Sequence, residues 1–593
     1  MNKHIIKYTV AALFVLINAL SFAQGVDSVM TMEGEFTGER KLFLRDANKI
    51  STSPLIKEQV VEMTTIQYST LSTRRTVTIE PKPIAAAKIN VEDKLPRLYR
   101  GYIRAGGGSY FTVPIDFYYT DGRSKKGTFG VKYHFLRSAG LNRNDDDSIP
   151  DSFSDNKVDL WGRRFFKKNT LEGGFGWERN VTHWYGFDNT RFTDADIVAD
   201  SLRQRMNTFS GNASFMTFNR DSADINYRFD LAIRGTADLF EGKETNVDWI
   251  VKANKLMGTE LFDAELGINY NTFSFFGPDM GAKGIPLIDE EGAEKRSTDN
   301  AVIRFNPSAQ TVKGNLRAKV GFGFYLEARG DQPGHFYPQA EVSYNILKGL
   351  IVPYAGIRGS VEPTTYLGLY RENPFVQTFP ELRNKNNKID AYGGIGGAIS
   401  KTVSFNAGVN YYSWGSFAYF VNDSTYLSDS TLVKYRSVGN KFNIIYDDLK
   451  ALNFHGELAL YSGDKWKANV RGDYYNYTTG AEVHAWNQPG LKFTASGQYK
   501  LKDKFIVGMD IFYLGSRWAK SLVAIEGVDQ EPDGSYHYKL NGFTDVNLNV
   551  EYRYNKRISA WMQFNNALAL KYQRYSQYNV QRFLYMIGAS YSF

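Results

Sequence analysis

Residues 580–593 read Val-Gln-Arg-Phe-Leu-Tyr-Met-Ile-Gly-Ala-Ser-Tyr-Ser-Phe. Phe583, Tyr585, Ile587, Ala589, Tyr591 and Phe593 fall on one side of a two-residue period. Arg582, Leu584, Met586, Gly588, Ser590 and Ser592 fall on the other. Successive side chains of an extended chain point to opposite faces, so this stretch reads as a strand with one aromatic-rich apolar face. Such a strand carries a row of unpaired backbone groups along any free edge and needs a partner.

The same split recurs upstream. In 223–235, Ile225, Tyr227, Phe229, Leu231 and Ile233 oppose Asp224, Asn226, Arg228, Asp230 and Arg234. In 315–327, Leu316, Ala318, Val320, Phe322, Phe324 and Leu326 oppose Arg317, Lys319 and Glu327, and in 467–474 Ala468, Val470 and Tyr474 oppose Lys467, Asn469, Arg471 and Asp473. Composition agrees. Tyr 39, Phe 41 and Trp 9 make 15% aromatics, yet mean hydropathy is −0.40 and 23% of residues are charged. A helical membrane protein is not that polar, whereas a barrel with a wet lumen is. The fold expected is an all-β transmembrane antiparallel barrel. Tight turns at 121–127, 168–170, 219–222, 400–402, 462–465, 501–504 and 554–556 alternate with long loops at 139–156, 188–202, 276–299, 362–386, 414–439 and 516–536. Counting back from Phe593 gives about 22 strands, the first near Leu98, with both ends on the periplasmic side.

The N-terminus reads as an export signal. Lys3 and Lys7 precede an apolar run, Tyr8–Leu20, and a small-x-small site, Ser21-Phe22-Ala23. The expected organisation is a signal peptide over 1–23, a short periplasmic or lumenal segment over 24–97, and the barrel over 98–593. Removing Lys3 and Lys7 takes the formal charge from +8 to +6, without a compact basic patch that would suit nucleic acid. Cys is 0, so thiol chemistry and disulfides are excluded.

No motif with a defined catalytic mechanism stands out, and no catalytic, cofactor or metal residues are assigned. His134, His183, His335, His455, His484 and His537 lie in neither HExxH nor GxSxG. Asn144-Asp145-Asp146-Asp147 with Asp151 and Asp155 is the best metal candidate, but its spacing lacks the central Gly of a calcium loop and reads as a solvated acidic loop. Gly321-Phe322-Gly323 and Gly393-Gly394-Ile395-Gly396-Gly397 lie in strands, where glycine permits curvature, rather than before helices where it would cradle phosphate. Loop 362–386 carries Pro363, Pro374 and Pro380 among Tyr366, Tyr370, Phe375 and Phe379. It reads either as ordinary outer-loop packing or as a segment that binds a ligand or folds inward.

A final strand closed by Phe593 resembles the assembly signal of outer-membrane barrels. Leu98-Tyr-Arg-Gly-Tyr, Glu372-Asn373-Pro374-Phe375, Tyr446-Asp447-Asp448-Leu449, Ala485-Trp486-Asn487-Gln488-Pro489 and the last fifty residues, in that order, make the chain similar to TonB-dependent receptors, especially a group from Bacteroidetes-type bacteria. The resemblance spans roughly the final 500 positions. It implies a 22-stranded barrel acting in transport across the outer membrane, or as a subunit of an outer-membrane complex. Full receptors add an N-terminal plug and a coupling box; the 24–97 segment shows neither. The expected partners are outer-membrane lipid, an unknown substrate and an outer-membrane or periplasmic protein sealing the lumen. The alternatives are an energised receptor whose plug or coupling a partner supplies and, behind it, a barrel enzyme.

Overall fold

The computed structural model describes residues 99–122, 124–140, 150–187, 202–217, 224–277, 294–330, 332–423, 437, 439–463 and 465–593. The signal peptide over 1–23, the segment over 24–97, the turn 219–222 and Asn144–Asp147 therefore lie outside the described residues.

The wall is a closed antiparallel barrel of 22 strands. It runs in chain order from β1 (Gly101–Gly108) and β2 (Val113–Thr120) to β19 (Phe505–Leu514), then through β22 (Phe543–Arg553), β23 (Ile558–Asn565) and β26 (Leu584–Ser592). Two short hairpins, β20 (Arg517–Ser521) with β21 (Tyr536–Leu540) and β24 (Gln573–Tyr575) with β25 (Tyr578–Asn579), belong to connections rather than to the wall. Closure is made by β26 on β1, from Tyr102↔Ser592 to Gly108↔Met586. No edge is left over, as a sheet in lipid requires. At an average spacing of about 4.8 Å between strands tilted about 40°, a ring of this size is about 40 Å across.

The alternation read from sequence sorts the two faces. Val320, Phe322, Phe324 and Leu326 are exposed on the outside, while Tyr325 on the opposite face is buried. The inner face carries compensated charge. Arg304 meets Asp248 at 3.4 Å and Glu265 at 3.0 Å, Lys252 reaches Glu265 at 3.0 Å, and Arg471 bridges Asp473 (2.8 Å) and Glu457 (3.3 Å). Pairing keeps these charges solvated where lumen water is partly excluded.

The seam explains two odd features of the sequence. In the inward row, Gly106 faces Gly588, which in turn faces Trp561. The indole lies over both glycines, so a side chain at either would collide with it. Arg104 caps the same ring from 3.8 Å. At the chain end, the Phe593 carbonyl accepts from the Arg100 (2.8 Å) and Gly101 (3.0 Å) amides, and the Phe593 amide donates to the Gly101 carbonyl at 2.9 Å. The Phe593 ring occupies the space a side chain at Gly101 would need.

Wall height is uneven. β1, β2 and β23 have 8 residues each. β15 (Val403–Asn422) has 20 and β16 (Phe442–Ser462) has 21. About 9–11 residues suffice to cross hydrocarbon, so the long strands project beyond it. The expected loop 414–439 begins later than the sequence suggests, because β15 continues to Asn422. A bulge between Trp414 and Phe417, with Ser416 at φ 53°, resets the register and breaks the apparent period while pairing goes on. Likewise 516–536 contains β20 and leads into β21. The tight turns and the long connections do fall at opposite rims, but the long-loop rim also has short links at 109–112 and 238–242.

Candidate functional site: the capped mouth of the barrel

The connection between β13 (Val352–Glu362) and β14 (Lys385–Ser400) turns inward across the rim opposite the termini. Its only helix is α1 (Tyr366–Glu372), one of seven residues, started by Thr365, whose Oγ1 accepts from the Gly368 amide at 3.0 Å. Pro363 precedes the helix, and Pro374 follows it in a turn closed by the Val376 amide, which donates to the Asn373 carbonyl at 3.1 Å. Tyr366, Leu367, Leu369 and Tyr370 are all buried.

The contacts of this loop show how far it reaches. Arg371 pairs with Glu178 at 2.9 Å on β5 (Asn169–His183), eight wall strands before β13. Both oxygens of Glu244, on β8 (Lys243–Met257), accept from α1: the Tyr366 amide at 2.6 Å and the Leu367 amide at 3.0 Å. The Tyr366 hydroxyl donates to Asp238 at 2.8 Å. In the other direction, Tyr575 donates to the Glu372 carbonyl at 2.7 Å, and Phe375 stacks on Tyr578 at 3.5 Å. Those two tyrosines sit in the connection after β23, seven wall strands beyond β14. A segment touching both arcs of a closed ring lies across its mouth.

The loop is held there by a small hydrophobic core of its own. Tyr366, Leu367, Leu369, Tyr370, Val376 and Phe379 pack with Trp184, Phe240, Phe273, Phe420, Phe442 and Tyr578. Tyr366 lies 4.8 Å from Phe273. On its return the loop adds a bridge to β16: the Gln377 amide donates to the Phe442 carbonyl (2.8 Å) and the Phe442 amide to the Phe375 carbonyl (2.9 Å). Burial of this many aromatic side chains is worth several kcal/mol at about 25 cal/mol per Å². Of the two readings of 362–386, the structure shows the inward fold.

Three ionisable groups outside the wall strands are perturbed by this packing. Burial pushes the Asp238 carboxyl up to about 6, against the opposing effect of its bonds from Tyr366, Gly242, Gln204 and Phe240. Burial pushes the Lys441 ammonium down to about 7, where it lies 4.5 Å over the Trp184 ring and 5.5 Å over Phe240. Burial also raises Glu372, at the end of α1.

Three of the four short motifs that carry the family resemblance meet at this mouth. Glu372–Phe375 belongs to the loop itself. Tyr446 donates to the Glu381 carbonyl at 2.6 Å, and Asp447 accepts from the amides of Gly480, Ala481 and Glu482. The Asn487 side chain donates to the Phe420 carbonyl at 2.8 Å. The described part of the first motif, Tyr99–Tyr102, instead leads into β1 at the other rim.

The histidines scatter. His134 pairs with Asp116 (2.6 Å) and His335 with Glu327 (2.6 Å); His183 contacts the Ser152 carbonyl, and His455 lies on the inner face of β16. His484 stacks on Trp518 at 4.1 Å. His537 lies 2.8 Å from Ser535, a contact between close neighbours in sequence that has no motif to announce it. Ser535 is fully buried and gives its proton to Asp533 at 2.5 Å, so the imidazole donates to it rather than activating it. Asp155 accepts from Asn180 at 2.9 Å, and the described residues hold no group of three or more metal-binding side chains. Gly321, Gly323 and Gly393–Gly397 lie within strands, as expected.

No family profile matches the sequence, and no curated protein matches it. Solved structures do. The chain is similar to the ferric-catecholate import receptor Fiu of E. coli K12 in its closed form, with 11% identity, 84% of this chain and 82% of that chain covered, and a TM-score of 0.57. It is similar to the siderophore receptor PirA of Acinetobacter baumannii, with 9% identity, 84% and 81% covered, and a TM-score of 0.61. The FrpB iron transporter of Neisseria meningitidis gives 10% identity, 84% and 82% covered, and a TM-score of 0.59. At such identities the likeness is one of fold. The shared fold is the 22-stranded antiparallel barrel that the resemblance implies.

Proposed function

We propose that this chain is an outer-membrane transport barrel whose passage is gated by loop 363–384, with both ends of the barrel in the periplasm. The observation that carries the reading is the docking of that loop against both arcs of the ring. In this reading residues 24–97 do not supply a full plug, and the loop, alone or with a protein partner, closes the lumen in its place. The barrel then works passively or as a subunit of an outer-membrane complex. The fold it shares with siderophore receptors supports transport over enzymatic work. An energised receptor whose coupling comes from a partner is the second reading, favoured by the same likeness.

The chain has no cysteine, which makes the test clean. A variant carrying Arg371→Cys and Glu178→Cys is reconstituted in liposomes, and solute flux is followed by swelling before and after bridging the thiols with a short bis-maleimide. Bridging is expected to lower flux several-fold. Equal flux in both states rejects the loop as the gate.

A further inference from the structure

The rim that carries the tight turns differs in charge from the opposite one. Lys125 and Lys126 follow β2, Lys167 and Lys168 follow β4 (Phe153–Phe165), and Lys502 and Lys504 follow β18 (Leu491–Leu501); all six are exposed. The turns at 313–317, 401, 465–467 and 553–557 each add at least one exposed lysine or arginine. In all these stretches the one exposed carboxylate is Asp503. The other rim is mixed: Asp448, Asp529 and Glu531 are exposed there alongside Lys388 and Lys539. The basic turns begin after β2 and end after β22; between Lys168 and Lys313 the described turns at this rim add no exposed lysine or arginine, and Asp224 is exposed there.

Large aromatic side chains lie among them. Phe166 is 54% exposed, Trp466 53% and Tyr554 65%. Aromatic rings interleaved with basic side chains at one level mark the boundary between hydrocarbon and headgroups. A soluble acidic protein would bind one arc. A leaflet meets the whole ring.

We infer that this rim is a docking surface for anionic phospholipid headgroups, selecting lipids with net negative charge in the leaflet on the tight-turn side. The inference rests on the reading of the chain as a membrane barrel. Each lysine near an anionic surface contributes up to about 1 kcal/mol, or about five-fold in local lipid preference, and the effect decays within a Debye length.

The test uses the full chain in nanodiscs of phosphatidylcholine mixed with phosphatidylglycerol, with the lipids retained around the protein measured by native mass spectrometry. The wild-type protein is expected to retain phosphatidylglycerol at least about two-fold over its bulk fraction at low salt. That enrichment should fall towards unity at high salt. It should fall likewise in the variant Lys125→Gln, Lys126→Gln, Lys167→Gln, Lys168→Gln, and should persist in Lys388→Gln, Lys539→Gln. No enrichment, or enrichment unmoved by the four substitutions, overturns the inference. So does loss of a co-purifying acidic protein in the fourfold variant while enrichment stays the same. Insertion is scored separately by heat-modifiable migration, and its failure in the wild type would overturn the membrane reading itself.

Discussion

Asp238 joins the docking of the loop to pH. Its carboxyl is held at about 6 when buried beneath Tyr366 and returns towards 3.8 when the loop lifts and water reaches it. The docked state therefore binds a proton more tightly than the open one. Docking gains fully below the open-state value and loses that gain as pH rises through about 6. Holding the carboxyl at about 6 rather than 3.8 is worth about 3 kcal/mol across that window. Lys441 adds little slope below about 6, where it stays charged in both states. Flux through reconstituted protein should rise from pH 4 to pH 7, and Asp238→Asn should reduce the rise to the part carried by Glu372, whose carboxyl burial also raises. A flat wild-type profile would remove Asp238 from the latch. On the wall, Met509 is exposed on the outside and its neighbour Asp510 faces the lumen. Arginine at Met509 should cost about 2–4 kcal/mol in reversible unfolding, and at Asp510 much less. Equal costs would invert the assigned faces.

At the scale of elements, the wall strands were legible because a lumen that is wet and an outside that is greasy impose a strict two-residue period. The period fails where a bulge intervenes, which is why β15 runs eight residues past Trp414 unseen. Loop 362–386 showed its aromatics and prolines but not their destination. The partners that bury them, Trp184, Phe273, Phe442 and Tyr578, lie up to about 200 positions away, and no local pattern links them. Ser535 and His537 were missed for the opposite reason: their contact is local, but no spacing rule marks it. The closing strand gives a direct test. Phe593 bonds β1 through its backbone and covers Gly101 with its ring, so deleting it should leave little heat-modifiable protein in the membrane fraction; wild-type amounts would show that closure does not need it. A protease site inserted at Gly463 should be hidden in intact cells, and one at Gly527 cut. Equal cleavage at both would break the assignment of rims.

For the whole molecule, the shared fold accounts for the ring, and among the described residues loop 363–384 is the segment that crosses its mouth. A ring of strands about 40 Å across is too wide to be filled by wall side chains, so permeability is decided by what lies over or within it. Among the described residues, loop 363–384 brings to the mouth a helix, its own hydrophobic core, an ion pair to one arc through Arg371 and Glu178, and a tyrosine hydrogen bond and ring stacking to the other. The inner wall carries Arg304 with Asp248 and Arg471 with Asp473 in paired array. The measurement closest to this account is the single-channel conductance of the full-length protein in planar bilayers, compared with a variant in which 363–384 is replaced by a short Gly-Ser linker. The account predicts small or rare openings for the wild type and large, long-lived steps for the variant. Indistinguishable currents from the two proteins would contradict it.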